Sequence, residues 1–299
     1  MARLYSIAPG VDQELPAKGL DQFFDHACPE PQAYTIDPTL NQVIEGNTGL
    51  TFRIPANTFI SSLEHQKAEI IVSLRELNDP RLAMLAGLVT NAGSTILHHS
   101  AMFSLEIMSK IEDKITVTKP IKIECPLLES KSFNNTIYHL FKAGSAGIRT
   151  TSTPGMIEWK RNPYPAPQIH RINKKRYLSA EIDHAGTYSF GHAISTRLNN
   201  IMLSVRAFGP FDNMQEGRAF IMLDHLNSTI QLHPQGQASF SGFNLPQGRT
   251  GWLIVTGWHD NQYFLGIRRL APIANRIEQI ELRPVSAAKM EHAIKNMLC

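Results

Sequence analysis

The sequence predicts an all-β chain, two antiparallel β-sandwich domains closed by a short C-terminal helix. Three observations carry that prediction. Short runs with apolar residues at every second position recur along most of the chain, punctuated by Gly, Pro, Asn and Asp. Charged residues make up only 18% of the 299 and hydrophobic residues 42%, a balance filled by the turn-forming and small polar types of β-rich proteins. Finally, several strand-like runs follow one another without helical segments between them, which favours sheet packed on sheet.

Residues 1–40 are rich in Pro and turn formers ("ACPEPQAYTIDPTL") and are expected to run extended over a neighbouring surface. A first sandwich is expected over 41–128, from "QVIEG", "GLTFRI", "AEIIVSLREL", "STILHHSAMFSLEIM", "KITVT" and "KPIKIEC". Its turns fall at Gly46-Asn47, Glu112-Asp113 and Lys119-Pro120. "NDPRLAMLAG" is its one helical turn, with Asn78 or Asp79 as N-cap and Pro80 in the first turn. Residues 129–176 form a Pro/Gly-rich connecting region ending in the basic run "RINKKR", read as a solvated linker. From 177 strands return: "RYLSAEI", "TYSFG", "IMLSVRAF", "RAFIMLDH", "TIQLHP", "ASFSGFNLPQG", "TGWLIVTGWHD", "NQYFLGIRRL" and "RIEQIELRPV". They make the second sandwich, 177–299. Its last segment switches period: Met290, Ala293, Ile294, Met297 and Leu298 recur at helical spacing behind Ser286 as N-cap.

One stretch contradicts itself. "GLTFRIPANTF" alternates like a strand at Leu50, Phe52 and Ile54, then runs into Pro55, which has no backbone donor, and Asn57, which accepts turn conformations. The expected outcome is a strand that ends, kinks outward and sends Phe59 back into the core.

Here the chain resembles a β-sandwich domain of Bacteroidota envelope proteins, which carries a Gly-Thr-X-Ile-X-Ile-Pro-Ala-Asn-Ala-Phe motif. Gly49, Ile54, Pro55, Ala56, Asn57 and Phe59 match that motif. Arg75, Glu76 and Asp79 match a following "REL-D" element, and Ser100, Met102 and Phe103 match a "SAGMFEI" strand. The likeness spans residues 40 to 127 and is distantly similar to the ZU-five sandwich of ankyrin-type scaffold proteins. The second half resembles the carboxypeptidase-regulatory, transthyretin-like sandwich, in which two strands meet at a Gly-X-Phe-X-Phe-X-X-Leu-Pro-X-Gly turn. Phe240, Phe243, Leu245, Pro246 and Gly248 fit, with Phe240 and Phe243 expected to anchor the core and Pro246 and Gly248 to shape the corner. Together the two resemblances imply Ig-like or transthyretin-like sheets acting in binding, adhesion or assembly, in the cell envelope or outside the cell.

A net charge of +3 argues against nucleic acid. Cys28, Cys125 and Cys299 are three distant thiols with neither disulfide nor metal spacing. No run has signal-peptide or membrane-spanning length, so the chain as written reads as cytoplasmic and without a membrane span.

Chemistry-bearing groups are present without a familiar pattern. Asp183-His184, Asp224-His225 and His259-Asp260 pair imidazole with carboxylate, and His192 and His233 lie between them, but no zinc-binding spacing joins them. Neither metal nor other cofactor is therefore expected, and no residue is assigned a catalytic role. "HHSAMFSLEI" brings His98 and His99 near a Phe103-Ser104 bond, as in ZU-five relatives that cleave themselves through the serine hydroxyl. Gly-X-Ser-X-Gly elbows and phosphate-binding loops are missing; "AGSAG" (143–147) lacks the strand an elbow needs. Trp252, Trp258 and Tyr263 are the aromatic residues that suit a sugar platform, the two tryptophans six apart and so on one strand face.

The leading expectation is a non-enzymatic interaction or assembly module that binds a protein partner through strand edges and loops. Its candidate contacts are Asn78 to Arg81, Gly209 to Gly217 and His259 to Asn261, with Asn78, Arg81, His259 and Asp260 singled out. The alternative is a carbohydrate-binding protein using exposed Trp252, Trp258 and Tyr263.

Overall fold

The computed structural model describes residues 3–4, 19–61, 69–92, 95–109, 115–127, 138–143, 159–162, 165–194, 201–211 and 214–297. It is mostly β, arranged as two sandwiches and a layer of three short helices.

The first sandwich opposes a large sheet to a smaller one. The large sheet runs in the order β1 (Arg3–Leu4), β2 (Gln32–Ile36), β6 (Ile70–Glu76), β8 (Thr95–Ser109), β15 (Gly186–Ala193), β11 (His139–Ala143) and β12 (Trp159–Arg161), and β7 (Asn91–Ala92) also pairs with β8. The facing sheet runs β13 (Gln168–Ile172), β14 (Lys175–Ile182), β10 (Ile121–Pro126), β4 (Thr51–Ile54) and β3 (Gln42–Glu45). Alternation dictates the core: Phe52, Ile121, Ile123 and Leu178 from one sheet meet Val72, Leu74, Phe103 and Phe190 from the other. Cys125 points inward with Ile121 and Ile123, and burial, reinforced by Glu76, pushes its thiol up to about 12.

The "IPAN" stretch behaves as its residue types require. β4 ends at Ile54, Asn57 sits in the left-handed region at φ 59°, and its N–H donates to the Pro38 carbonyl at 2.7 Å. Ala56 N–H donates to Asn41 Oδ1 at 2.8 Å, and the chain resumes as β5 (Phe59–Ser61), paired with β9 (Ile115–Val117). Phe59 returns to the core.

Three expectations are corrected. The segment 1–40 is not simply extended, because Leu20–Ala27 forms helix α1 and β2 joins the large sheet. The first sandwich does not end near 128: β14 pairs with β10 and β15 with β8, so strands expected to open the second sandwich complete the first. "RINKKR" is no linker but the tip of the β13–β14 hairpin, whose loop residues Asn173 and Lys174 both have positive φ (49° and 67°), a type I′ geometry.

The second sandwich lies within 201–285. One sheet runs β19 (His233–Gly236), β20 (Ser239–Gly242), β16 (Leu203–Phe208) and β23 (Arg276–Glu281). The other runs β18 (Thr229–Gln231), β17 (Glu216–Leu223), β21 (Gly251–His259), β22 (Gln262–Leu270) and β24 (Arg283–Val285). β16 and β23 pair in parallel, a departure from a wholly antiparallel arrangement. Phe240 anchors this core at 2% exposure, whereas Phe243 is 51% exposed, which corrects its expected inward role. An odd separation of three residues turns the two rings to opposite faces. Pro246 is buried, Gly248 takes φ 75°, and Arg249 N–H closes the turn onto the Pro246 carbonyl at 3.3 Å.

A third layer covers the outer face of the five-stranded sheet. α1, α2 (Pro80–Leu85) and α3 (Ala287–Lys295) lay Leu20, Phe23, Phe24, Met84, Leu85, Met290 and Ile294 against Phe220, Met222, Ile254 and Tyr263. Asp79 caps α2 through Arg81 N–H and Ser286 caps α3 through Lys289 N–H. α1 has no side-chain cap of its own; Glu216 on β17 accepts the Leu20 N–H at 2.8 Å instead. No helix among the described residues is long and apolar enough to cross a membrane.

Candidate interaction sites at the sandwich junction and sheet edges

The two sandwiches meet where the 224–230 loop docks against β8 and α2. Asn227 Nδ2 donates to the Asn78 carbonyl at 2.6 Å, and Asn227 N–H to His98 Nδ1 at 3.2 Å. Ser228 Oγ donates to the Leu97 carbonyl at 2.6 Å, and Thr229 Oγ1 to the Pro80 carbonyl at 3.0 Å. A groove of about 480 Å³ opens along this seam, lined in part by Glu76, Asn78, Asp79, Asp224, His225 and Trp252.

Glu76, Asn78, Asp79, Asp224 and Asn227 are engaged in holding the fold, while His225 stands exposed beside them. Asn78 Oδ1 accepts Met102 N–H at 2.9 Å and its Nδ2 donates to Thr48. Glu76 accepts Gln32 Nε2 at 2.8 Å and both the N–H and the hydroxyl of Thr48. Arg81 grips Asp79 and donates to the Met297 carbonyl at 2.5 Å, fastening the end of α3 to α2. Burial raises the Asp79 carboxyl, but the Arg81 bonds and charge outweigh it and hold the group below its ordinary value. Asp224 takes Arg269 and Thr250. Asn78 and Arg81 are therefore rivets of the junction.

The aromatic candidates share a face without forming an exposed platform. Trp252 and Trp258 both belong to the layer under the helices, as the six-residue spacing requires, and both are only partly exposed with their indole nitrogens buried. The Arg269 guanidinium lies 5.2 Å from the Trp252 ring centre. Tyr263 is 6% exposed and donates its hydroxyl to the Gly19 carbonyl at 3.3 Å. Of the three rings, Tyr263 is closed off beneath the helices, whereas Trp252 and Trp258 stay partly exposed and Trp252 lines the groove.

His259 and Asp260 contact each other at 3.4 Å at the β21–β22 hairpin, where Asp260 and Asn261 have φ of 46° and 61°. That hairpin lies at the opposite end of β21 from Trp252 and the groove, about 25 Å away for a strand of this length. The structure thus does not bring His259 and Asp260 together with Asn78 and Arg81. In the Gly209 to Gly217 loop, residues 212 and 213 lie outside the described residues, as do Cys299 and most of "AGSAG".

The histidines do not converge either. Among the described residues no group of three or more His, Cys, Asp or Glu is placed to hold a metal ion. His184 touches Asp183, His233 lies 6.1 Å from the Phe243 ring, and His98 and His192 stand 5.0 Å apart at the junction. His99 is wholly buried; its Nδ1 bonds Ser189 Oγ, and Ser189 has no solvent exposure, so this Ser–His pair meets no substrate. Burial, then the neighbouring His98 and His192, holds His99 down at about 3; burial and His192 hold His98 at about 4. The Phe103-Ser104 bond sits inside β8, hydrogen-bonded to strands on both sides, and Ser104 is 4% exposed. His99 lies five residues along the strand, about 16 Å away, which removes the geometry self-cleavage requires.

Polar residues that organise the molecule, Glu216, Asn227 and Ser228 above all, carried no sequence signal, because their partners lie 129 to 196 residues away. Part of the exposed apolar surface lies along strand edges. β13 ends its sheet with Ile169 and Ile172 at 49% and 41% exposure, and on β23 Ile277 reaches 64%. No protein-family model matches the chain, and no curated protein matches it.

Proposed function

We propose that the chain is a non-enzymatic interaction module that binds a protein partner through its sheet edges and exposed loops. One observation carries this reading. Glu76, Asn78, Asp79, Arg81 and Asp224 at the junction are bonded into the fold, whereas apolar side chains stand exposed along edge strands. The rigid double sandwich would act as a platform that presents those edges. The envelope setting rests on the motif likeness at Gly49, Ile54, Pro55, Ala56, Asn57 and Phe59 alone.

Photo-cross-linking tests the reading. A photoreactive residue placed at Val43, Ile169 or Ile277, all exposed strand positions, should give a discrete covalent adduct with another protein in the native cell. Failure to form an adduct from every one of these positions overturns the reading.

A further inference from the structure

The β13–β14 hairpin has a geometry that its basic sequence alone does not reveal. Its loop is two residues, so Ile172 and Lys175 form a hydrogen-bonded pair, and so do His170 and Tyr177. Ile169 and Arg171 then occupy the alternate positions, and their backbone N–H and C=O groups point away from β14, to where the sheet stops. This leaves an open edge five residues long, free of proline, with Ile169 and Ile172 exposed along it.

Charge is the second observation. Arg171 and Arg176 lie directly opposite each other in a non-hydrogen-bonded pair, the closest cross-strand arrangement, where like charges repel. Lys174 and Lys175 adjoin them in the loop and at its exit. None of these four cations forms an ion pair among the described residues. The nearby Glu124 is engaged by Arg53, Lys122 and His170 instead.

Three other edges carry features that hinder strand addition without hiding their exposed side chains: β23 turns Glu278 inward between Arg268 and Arg276, β19 carries Pro234 and a register shift, and β24 carries Pro284. On β13 the corresponding inward charge is Arg171, doubled by Arg176, so an incoming strand is rejected unless it brings negative charge.

We infer that the outer edge of β13, beside the Arg171–Arg176 pair, accepts an extended acidic segment of a protein partner by strand addition. The inference rests on the protein-binding reading above and names its site and the partner's chemistry. The segment supplies backbone groups to Ile169 and Arg171, carboxylates to the arginine pair on one face, and apolar side chains to Ile172 on the other. A nucleic acid would answer the charge but leave the isoleucines and backbone groups unmatched.

The test is fluorescence anisotropy of the full chain with three probes: a labelled peptide of alternating Glu and Val, its Lys–Val counterpart, and a short duplex DNA. The Glu–Val peptide should bind saturably, about tenfold or more tighter than Lys–Val, and weaken as salt rises. Ile169→Pro removes an outward N–H and no hairpin bond, so melting should hold while peptide binding falls about tenfold. Arg171→Glu, a surface change, should reverse the preference between the two peptides. Equal binding by Ile169→Pro, tighter binding of DNA than peptide, or no binding of the Glu–Val peptide overturns the inference. A cross-link formed from Val43 or Ile277 under any of those results leaves the binding-module reading standing and removes this edge alone.

Discussion

The backbone N–H of Asn227, in the second sandwich, donates to Nδ1 of His98, in the first, at 3.2 Å. An imidazole nitrogen accepts only while it is unprotonated, so one of the bolts between the sandwiches depends on a neutral histidine. With His98 held at about 4 and His99 at about 3 against an ordinary 6.5, the unfolded chain binds protons that the folded chain refuses. Stability should be full above about pH 6.5, fall as pH drops below it by up to ~1.4 kcal/mol per pH unit for each histidine, and level off below the folded values. His98→Gln should remove about half of that slope between pH 6 and 4, read from urea midpoints; an unchanged slope assigns the acid sensitivity elsewhere.

Arg81 joins α2 to the end of α3, gripping Asp79 at the start of its own helix and the Met297 carbonyl beyond α3. Arg81→Ala leaves that carbonyl and the Asp79 carboxylate without their charged donor, and should cost about 1–3 kcal/mol. Amide hydrogen exchange should accelerate selectively over 290–297, because among the described residues α3 is held to the rest of the molecule through its apolar stripe and this polar tie.

Glu216 acts as a cap supplied from a distant strand. Glu216→Ala orphans the Leu20 N–H and should destabilise α1 by about 1 kcal/mol, while Glu216→Gln keeps an acceptor and loses less. Limited proteolysis within residues 20–27 is the readout, faster for the alanine variant.

At Asn57 the left-handed backbone sets the outcome. Asn57→Ala should lose about 1–2 kcal/mol, whereas Asn57→Gly should stay within a few tenths of the parent in a denaturant titration.

Strand existence was legible because alternation is local: β3, β4, β6, β8 and β10 fall where their apolar residues recur, and Ser286 announced α3. α1 was also written in part, with Leu20, Phe23, Phe24 and Ala27 at helical spacing, yet its cap arrives from residue 216, so no local signal marked its start. Sandwich membership was illegible for β14 and β15, since nothing in "RYLSAEI" or "TYSFG" says whether β10 and β8 or a later strand will be the neighbour. Phe243 was readable and misread, its odd separation from Phe240 placing the rings on opposite faces. In the candidate contacts, side-chain type suggested availability, but Asn78, Arg81 and Tyr263 each found a partner in another part of the chain.

The three helices that roof the β18–β17–β21–β22–β24 sheet come from residues 20–27, 80–85 and 287–295, on both sides of it in the chain. On the ribosome, α1 and α2 emerge well before the strands bearing Phe220 and Ile254, and α3 follows those strands. The roof therefore cannot close until the whole sheet beneath it has been made, and loss of α1 or α3 would leave the same greasy face bare to solvent and to neighbouring molecules.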